Sequence, residues 1–300
     1  MNSILAFVIG IIIALMVLAN GSLSAIYGAY LSLIIIHSIG IMASLVLLIS
    51  QKEKKKILHQ GSIWIYLGGA AGMLTILFNN AAFGKITVTS ILALSLLGQT
   101  LMSLIIDFFG LFGMKKQPIS KTTIIGLMFS VIGIVVMVDF SAVQKVNALL
   151  YSICSGFTVV IARTLSAALS ERAGPIEGSL VYYFTGLIGA AVCFVFSLLQ
   201  GSAVSFQWSP SIWIYFGGIL GVAMVILQNI VVPRISSFQM TLVAFLGQIF
   251  TGVVIDMLQG ANFLDRSFIG GIVISAGMLL SIALEYTGSR PHRFIQEERK

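Results

Sequence analysis

Ser62-Ile-Trp-Ile-Tyr-Leu-Gly-Gly69 returns later in the chain as Ser211-Ile-Trp-Ile-Tyr-Phe-Gly-Gly218. The match continues without a gap through Gly72 and Gly221, Asn80 and Asn229, and Lys85 and Arg234. It then takes in Leu97-Gly98-Gln99 with Leu246-Gly247-Gln248, and closes on Asp107 with Asp256. Each pair is 149 positions apart, as 211 minus 62 gives. After a short deletion, Gly126 and Gly133 match Gly270 and Gly277, whereas the opening parts of the two copies match only loosely. A self-match at fixed spacing marks a duplicated architecture.

Composition says what is duplicated. Of 300 residues, 58% are hydrophobic and 9% charged, with mean hydropathy +1.05. Soluble domains carry about 25% charged residues, so this chain has too few to cover a water-facing surface. It reads as an integral membrane protein. Runs such as Ile4–Leu18 and Ser38–Ile49 are apolar on every face. They lack the alternation of a β-barrel, and helices keep the backbone satisfied within lipid.

A span needs about 20 apolar residues. The sequence predicts ten, at 3–21, 27–49, 62–83, 86–110, 121–139, 147–166, 177–199, 211–231, 236–258 and 267–286. Five spans fall in each copy, which predicts an N-terminal repeat over 1–140, a second over 141–288 and a polar tail over 289–300. Five is odd, so the second copy enters the membrane from the opposite side. Such inverted repeats mark many secondary transporters.

The basic residues give the orientation. One side collects Lys52, Lys54, Lys55, Lys56, Lys115, Lys116, Lys121, Arg172, Arg234, Arg290, Arg293, Arg299 and Lys300, and the other only Lys85, Lys145 and Arg266. That bias places both termini in the cytoplasm. The net charge of +7 is read as topology and contact with anionic lipid, with no role in nucleic-acid binding. Met1–Asn20 lacks a basic leader and reads as a first span rather than a cleaved signal. Cys154 and Cys193 lie in apolar runs and read as small packing residues, with no disulfide, metal or cofactor framework. No Ser/His/Asp, HExxH or CxxC pattern is present, so the reading excludes an enzyme.

Polar residues within apolar runs are the candidate site. Gln99 and Gln248 fall near the middle of their spans, where an unpaired amide costs several kcal/mol. They are expected either to bind substrate or to form an interhelical hydrogen bond, typically worth about 0.6 kcal/mol. Asp107 and Asp256 lie eight residues further on, about 12 Å along a helix. The topology sends them to opposite faces, as capped carboxylates or as gates for the two mouths. His37 is central in the second span and could titrate or simply pack. Tyr182 and Tyr183, in the corresponding span of the second copy, could wall a cavity. Asn80 and Asn229 add amides to the substrate set, beside Asn20, Asn79 and Gln228. Arg163 is expected either to snorkel to the cytoplasmic interface or to face an aqueous cavity as a gating or coupling residue. Gly98, Gly247, Gly69 and Gly218 suit close helix packing.

Leu97-Gly98-Gln99, the run Ile106-Asp107-Phe108-Phe109-Gly110-Leu111-Phe112-Gly113, and the second copies Leu246-Gly247-Gln248 and Ile255-Asp256 resemble the drug/metabolite transporter superfamily, in particular its YdcZ-like branch. The second copy departs after Asp256, reading Met257-Leu258-Gln259-Gly260. The resemblance covers nearly the whole chain. It implies ten helices, with the first four of each half around a central cavity and the fifth of each peripheral. Small multidrug relatives couple protons through a glutamate in their first helix. Spans 1 and 6 hold no acid here, so that mechanism does not carry over.

The expectation is a multi-pass protein of the cytoplasmic membrane that moves a small polar or amphipathic metabolite by alternating access. Protons are the default coupling ion. The rival readings are a lipid flippase and a non-transporting scaffold. Oligomeric state stays open between monomer and homodimer.

Overall fold

The computed structural model describes residues 2–51, 62–114, 116, 121–137, 143–201, 209–260 and parts of 269–284. Its helices are α1 (Asn2–Tyr27), α2 (Ala29–Ser50), α3 (Gly68–Ala82), α4 (Val88–Phe109), α5 (Lys121–Met137), α6 (Val143–Ala173), α7 (Pro175–Leu199), α8 (Phe216–Val231) and α9 (Ser237–Leu258). Short 3₁₀ turns at Ile63–Leu67 and Ile212–Tyr215 lead into α3 and α8, so the repeated Ser-Ile-Trp-Ile-Tyr motif opens the same kind of helix twice. Among the described residues, eight helical segments are long and apolar enough to cross a membrane. The 17-residue α5 is shorter than these eight, and most of the tenth predicted span lies outside the described residues, as do the Lys52–Lys56 loop and the tail.

Large apolar side chains such as Val46, Val192 and Phe250 point outward, as a lipid-facing surface requires. The interior holds small and polar residues, among them Ser44, Thr100, Ser155 and Ser179. Small and hydroxyl side chains let helix backbones approach one another within lipid. Helix α4 packs on α6 and α9, α1 on α8 and α9, α2 on α7, and α3 on α6 and α7. Helix α5 lies against α4, and its Phe129 contacts Gly277 of the partly described C-terminal segment.

Three sequence expectations change. The break between the first two spans is a single residue, Gly28, at φ +77°, where a loop from 22 to 26 is predicted. Ser22 and Ser24 continue the helix because a helix satisfies its own backbone. Helix α6 also outruns its predicted 147–166 at both ends. Ser170, beyond the predicted end, is buried and donates to the Asn229 backbone carbonyl, one turn after Ser166 donates to the Asn229 side-chain oxygen. Cys154 is exposed at the outer surface rather than packed inside.

Candidate functional site

The site is framed by α4 and α9, which run antiparallel and lock each other at both ends. The first turn of a helix has amide donors without intrahelical partners. At α4, the Val88 and Thr89 amides donate to Asp256 at 3.0 and 2.9 Å. At α9, the Ser237 and Phe238 amides donate to Asp107 at 3.4 and 3.0 Å. The third amide of each helix donates to its own N-cap hydroxyl, Ser90 to Thr87 and Gln239 to Ser236. Thus each carboxylate completes the cap of the other copy's helix. Negative charge at a helix N-terminus is favourable by about 0.3–2 kcal/mol.

Glycines bring two further helices onto this pair. A Cβ on Gly98 would fall 2.1 Å from the Ile153 carbonyl oxygen, and one on Gly156 2.0 Å from that of Ser95, so α6 lies backbone to backbone on α4. A Cβ on Gly247 would fall 2.2 Å from the Phe7 carbonyl oxygen, and one on Gly10 1.9 Å from that of Ala244, so α1 lies the same way on α9. Gly69 meets the Tyr182 carbonyl of α7, and Gly218 the Ile36 carbonyl of α2.

Where these helices converge there is a narrow cavity of about 30 Å³, room for about one or two waters. Its polar lining is Gln99, Gln248, Asn79, Ser95, Thr75 and Tyr182, and its apolar lining includes Met16 and Met224. Gln248 is fully buried, and neither its amide nitrogen nor its oxygen has a hydrogen-bond partner among the described residues. The Asn79 side-chain oxygen is likewise unpartnered. The Gln99 amide donates only a long bond, 3.4 Å, to Ser95. Leaving buried polar groups unpaired costs about 1–3 kcal/mol each, and this cavity sets several such groups beside space for about one or two waters.

Val159, Arg163 and Ala167 follow one face of α6 at four-residue steps. Val159 lines the cavity, and Ala167 lines a second, open vestibule of about 580 Å³. Arg163 stands between them, 2% exposed. One guanidinium nitrogen donates to Thr241 at 2.6 Å, to Ser103 at 3.1 Å and to the backbone and side chain of Ser237 at 3.0 and 3.2 Å. Asp107 attracts it electrostatically. Arg163 therefore does not snorkel: hydroxyls of α4 and α9 hold it inside. The vestibule is walled by the C-terminal half of α6 and the α8–α9 turn, with Asp107, Glu171, Arg172 and Arg234 on its lining.

Of the sequence-predicted substrate residues, Gln99, Gln248 and Tyr182 line the cavity, and the others do not. Asn80 donates to Ser32 of α2 at 3.4 Å. Asn229 accepts from Ser166 and donates to the Pro175 carbonyl, which ties α8 to α6 and α7. The His37 ring bonds the Leu33 carbonyl through Nδ1 at 2.8 Å and packs beside Tyr183. Tyr183 in turn makes an edge contact with Tyr182. The two tyrosine hydroxyls point at equivalent glycines, Tyr182 at Gly72 and Tyr183 at Gly221. Asn79 was outside the predicted set, yet Gly72, Thr75, Ile76 and Asn79 share one helical face by the 3.6-residue period. Asn80 is rotated about 100° away from that face.

Comparison with known proteins assigns the chain. The model of the family described as "Putative inner membrane exporter, YdcZ" matches residues 1–136 and 147–280. The chain belongs to this family. Family and apolar helices together make it a multi-pass inner-membrane protein and, in general class, a membrane transporter, with a small-molecule substrate and lipid as its partners. No curated protein matches the chain. Fourteen chains of solved structures do. One crystal structure is similar over 94% of this chain and 98% of its own, with a TM-score of 0.67 and 17% identity. Identity that low carries the fold alone.

Proposed function

We propose that the chain is a secondary transporter that moves a small polar or amphipathic metabolite by alternating access between two inverted five-helix repeats. The observation that carries this reading is the buried, unpartnered amide of Gln248, across a central cavity from Gln99. Inverted-repeat transporters hold substrate at this depth. Several features support the duplication. The family model matches one stretch in each half. Positions 149 apart also make equivalent contacts: Asp107 and Asp256 cap each other's helix, Thr87 and Ser236 cap their own, and Gly98 and Gly247 each receive a helix. In this reading α5 and the C-terminal segment complete ten spans.

The charge bias of the loops turns the vestibule to the cytoplasm. Gln99 and Gln248 bind substrate, with Tyr182 as a wall and Tyr183 and His37 behind it. Arg163 with Ser103 and Thr241 forms the inner barrier. Asp107 and Asp256 hold the inner and outer ends of the α4–α9 pair. Neither carboxylate is among the cavity lining, so coupling through them acts at the mouths.

The test is solute flux into liposomes containing the purified protein, run over a metabolite panel. Gln99→Ala and Gln248→Ala should fold normally and lose transport. Wild-type flux in both variants would remove the amides from the site. Scrambling of lipid headgroups without solute flux would instead favour a flippase.

A further inference from the structure

The cavity between α4 and α9 has a property that its polarity alone does not convey: among the described residues, none of the side chains that line it carries a charge. The charges that follow the lining residues along α6 and α4 are held by other groups. Arg163, one helical turn from Val159, is held by Thr241, Ser103 and Ser237 through one guanidinium nitrogen, its Nε having no partner among the described residues, and it feels the charge of Asp107. Asp107, two turns beyond Gln99, is spent on the first amides of α9. An ion entering this space would lose its hydration and meet no countercharge, a large penalty. The amide groups make the opposite demand. Gln248 offers a free donor and a free acceptor, and Asn79 a free acceptor. Around them, Met16 and Met224 supply flexible apolar surface.

We infer that this site selects neutral solutes: its occupant carries an uncharged donor–acceptor group, such as an amide, carbonyl or hydroxyl, on a compact apolar body. This rests on the reading that substrate passes between Gln99 and Gln248. The vestibule differs, since Glu171, Arg172 and Arg234 line it and it tolerates ions of either sign. Discrimination against charge thus happens past Arg163, at the amides.

Size-matched thiol reagents of different charge test this without knowledge of the natural solute. The native cysteines, neither of which lines the cavity, are replaced by Cys154→Ala and Cys193→Ala. Into this background go Gln248→Cys for the cavity and Ala168→Cys for the vestibule, with Gln99→Cys as a second cavity probe if Gln248→Cys does not fold. The 2-hydroxyethyl, 2-aminoethyl and 2-sulfonatoethyl methanethiosulfonates share one ethyl frame and differ in charge. With rates normalised to the vestibule thiol, the neutral reagent should modify the cavity thiol about 100-fold faster than either ion, a gap of about 2.7 kcal/mol. Ionic reagents reacting within about threefold of the neutral one would overturn neutral selection and leave the substrate route standing. A cavity thiol that no reagent reaches, while the vestibule thiol reacts, would overturn both.

Discussion

Removing the carboxylate of Asp256 tests the reciprocal lock between α4 and α9. In Asp256→Ala the Val88 and Thr89 amides lose acceptors at 3.0 and 2.9 Å. They are first-turn amides and find no substitute within their own helix. A hydrogen bond to a charged group is worth about 1.5–3 kcal/mol in soluble proteins, whereas interhelical bonds in membrane bundles average about 0.6 kcal/mol. Asp256 is 6% exposed, so water reaches the vacated site poorly, and a value between these limits applies. Two bonds then give a loss of about 2–4 kcal/mol. Asp256→Asn keeps one accepting oxygen and turns an NH2 donor toward the other backbone N–H, so it should recover about half. Equilibrium unfolding in mixed dodecylmaltoside–SDS micelles, followed by helicity, gives the number. Asp107→Ala should cost a similar amount, because its longer bond to Ser237 is offset by the loss of the partner charge to buried Arg163. The two carboxylates lie at opposite ends of a 22-residue helix pair, so the double variant should be additive within about 0.5 kcal/mol. A loss below about 0.5 kcal/mol for Asp256→Ala, smaller than one ordinary hydrogen bond, would refute the capping argument.

Three further outcomes follow from the same geometry. Gly98→Ala and Gly247→Ala each place a Cβ about 2 Å from a carbonyl oxygen and should cost about 1–3 kcal/mol as the helices part, read in the same unfolding assay. Arg163→Met leaves Asp107 without its partner charge and should cost about 1–3 kcal/mol, limited because Ser103, Thr241 and Ser237 already bond one another and Asp107 keeps the α9 amides. It should still loosen the inner barrier, so that an Ala162→Cys or Gln99→Cys thiol reacts faster from the cytoplasmic side. Tyr182→Phe removes a hydroxyl from the cavity lining and should weaken solute binding by up to about tenfold, about 1.4 kcal/mol, in a ligand-induced thermal-shift titration.

Much of the frame was legible because membrane spans announce themselves. All eight segments long and apolar enough to cross a membrane coincide with predicted spans. The glutamines were legible as amides in the middle of apolar runs, repeated at a fixed spacing, and the structure sets both on one cavity. The role of the aspartates was legible only in part. Their position at helix ends admits a cap, but that each caps the other copy's helix depends on how α4 meets α9 in space. Arg163 turned on Ser103 and Thr241, hydroxyls on two other helices that no local pattern connects to it. The choice between Asn79 and Asn80 was a matter of about 100° of helix rotation, readable from the Gly72–Thr75–Ile76 face. The C-terminal end of α6 escaped the sequence because Ser170, a polar residue past the predicted end, finds a partner inside the fold.

The most direct test is the structure of the protein with a transported solute bound, for which a thermal-shift screen of neutral metabolites would supply the compound. The account predicts density between α4 and α9, with a polar atom of the solute about 3 Å from the Gln248 amide and a second contact to Gln99 or Asn79. Solute density confined to the vestibule or to a lipid-facing groove, with the space between Gln99 and Gln248 empty, would contradict it.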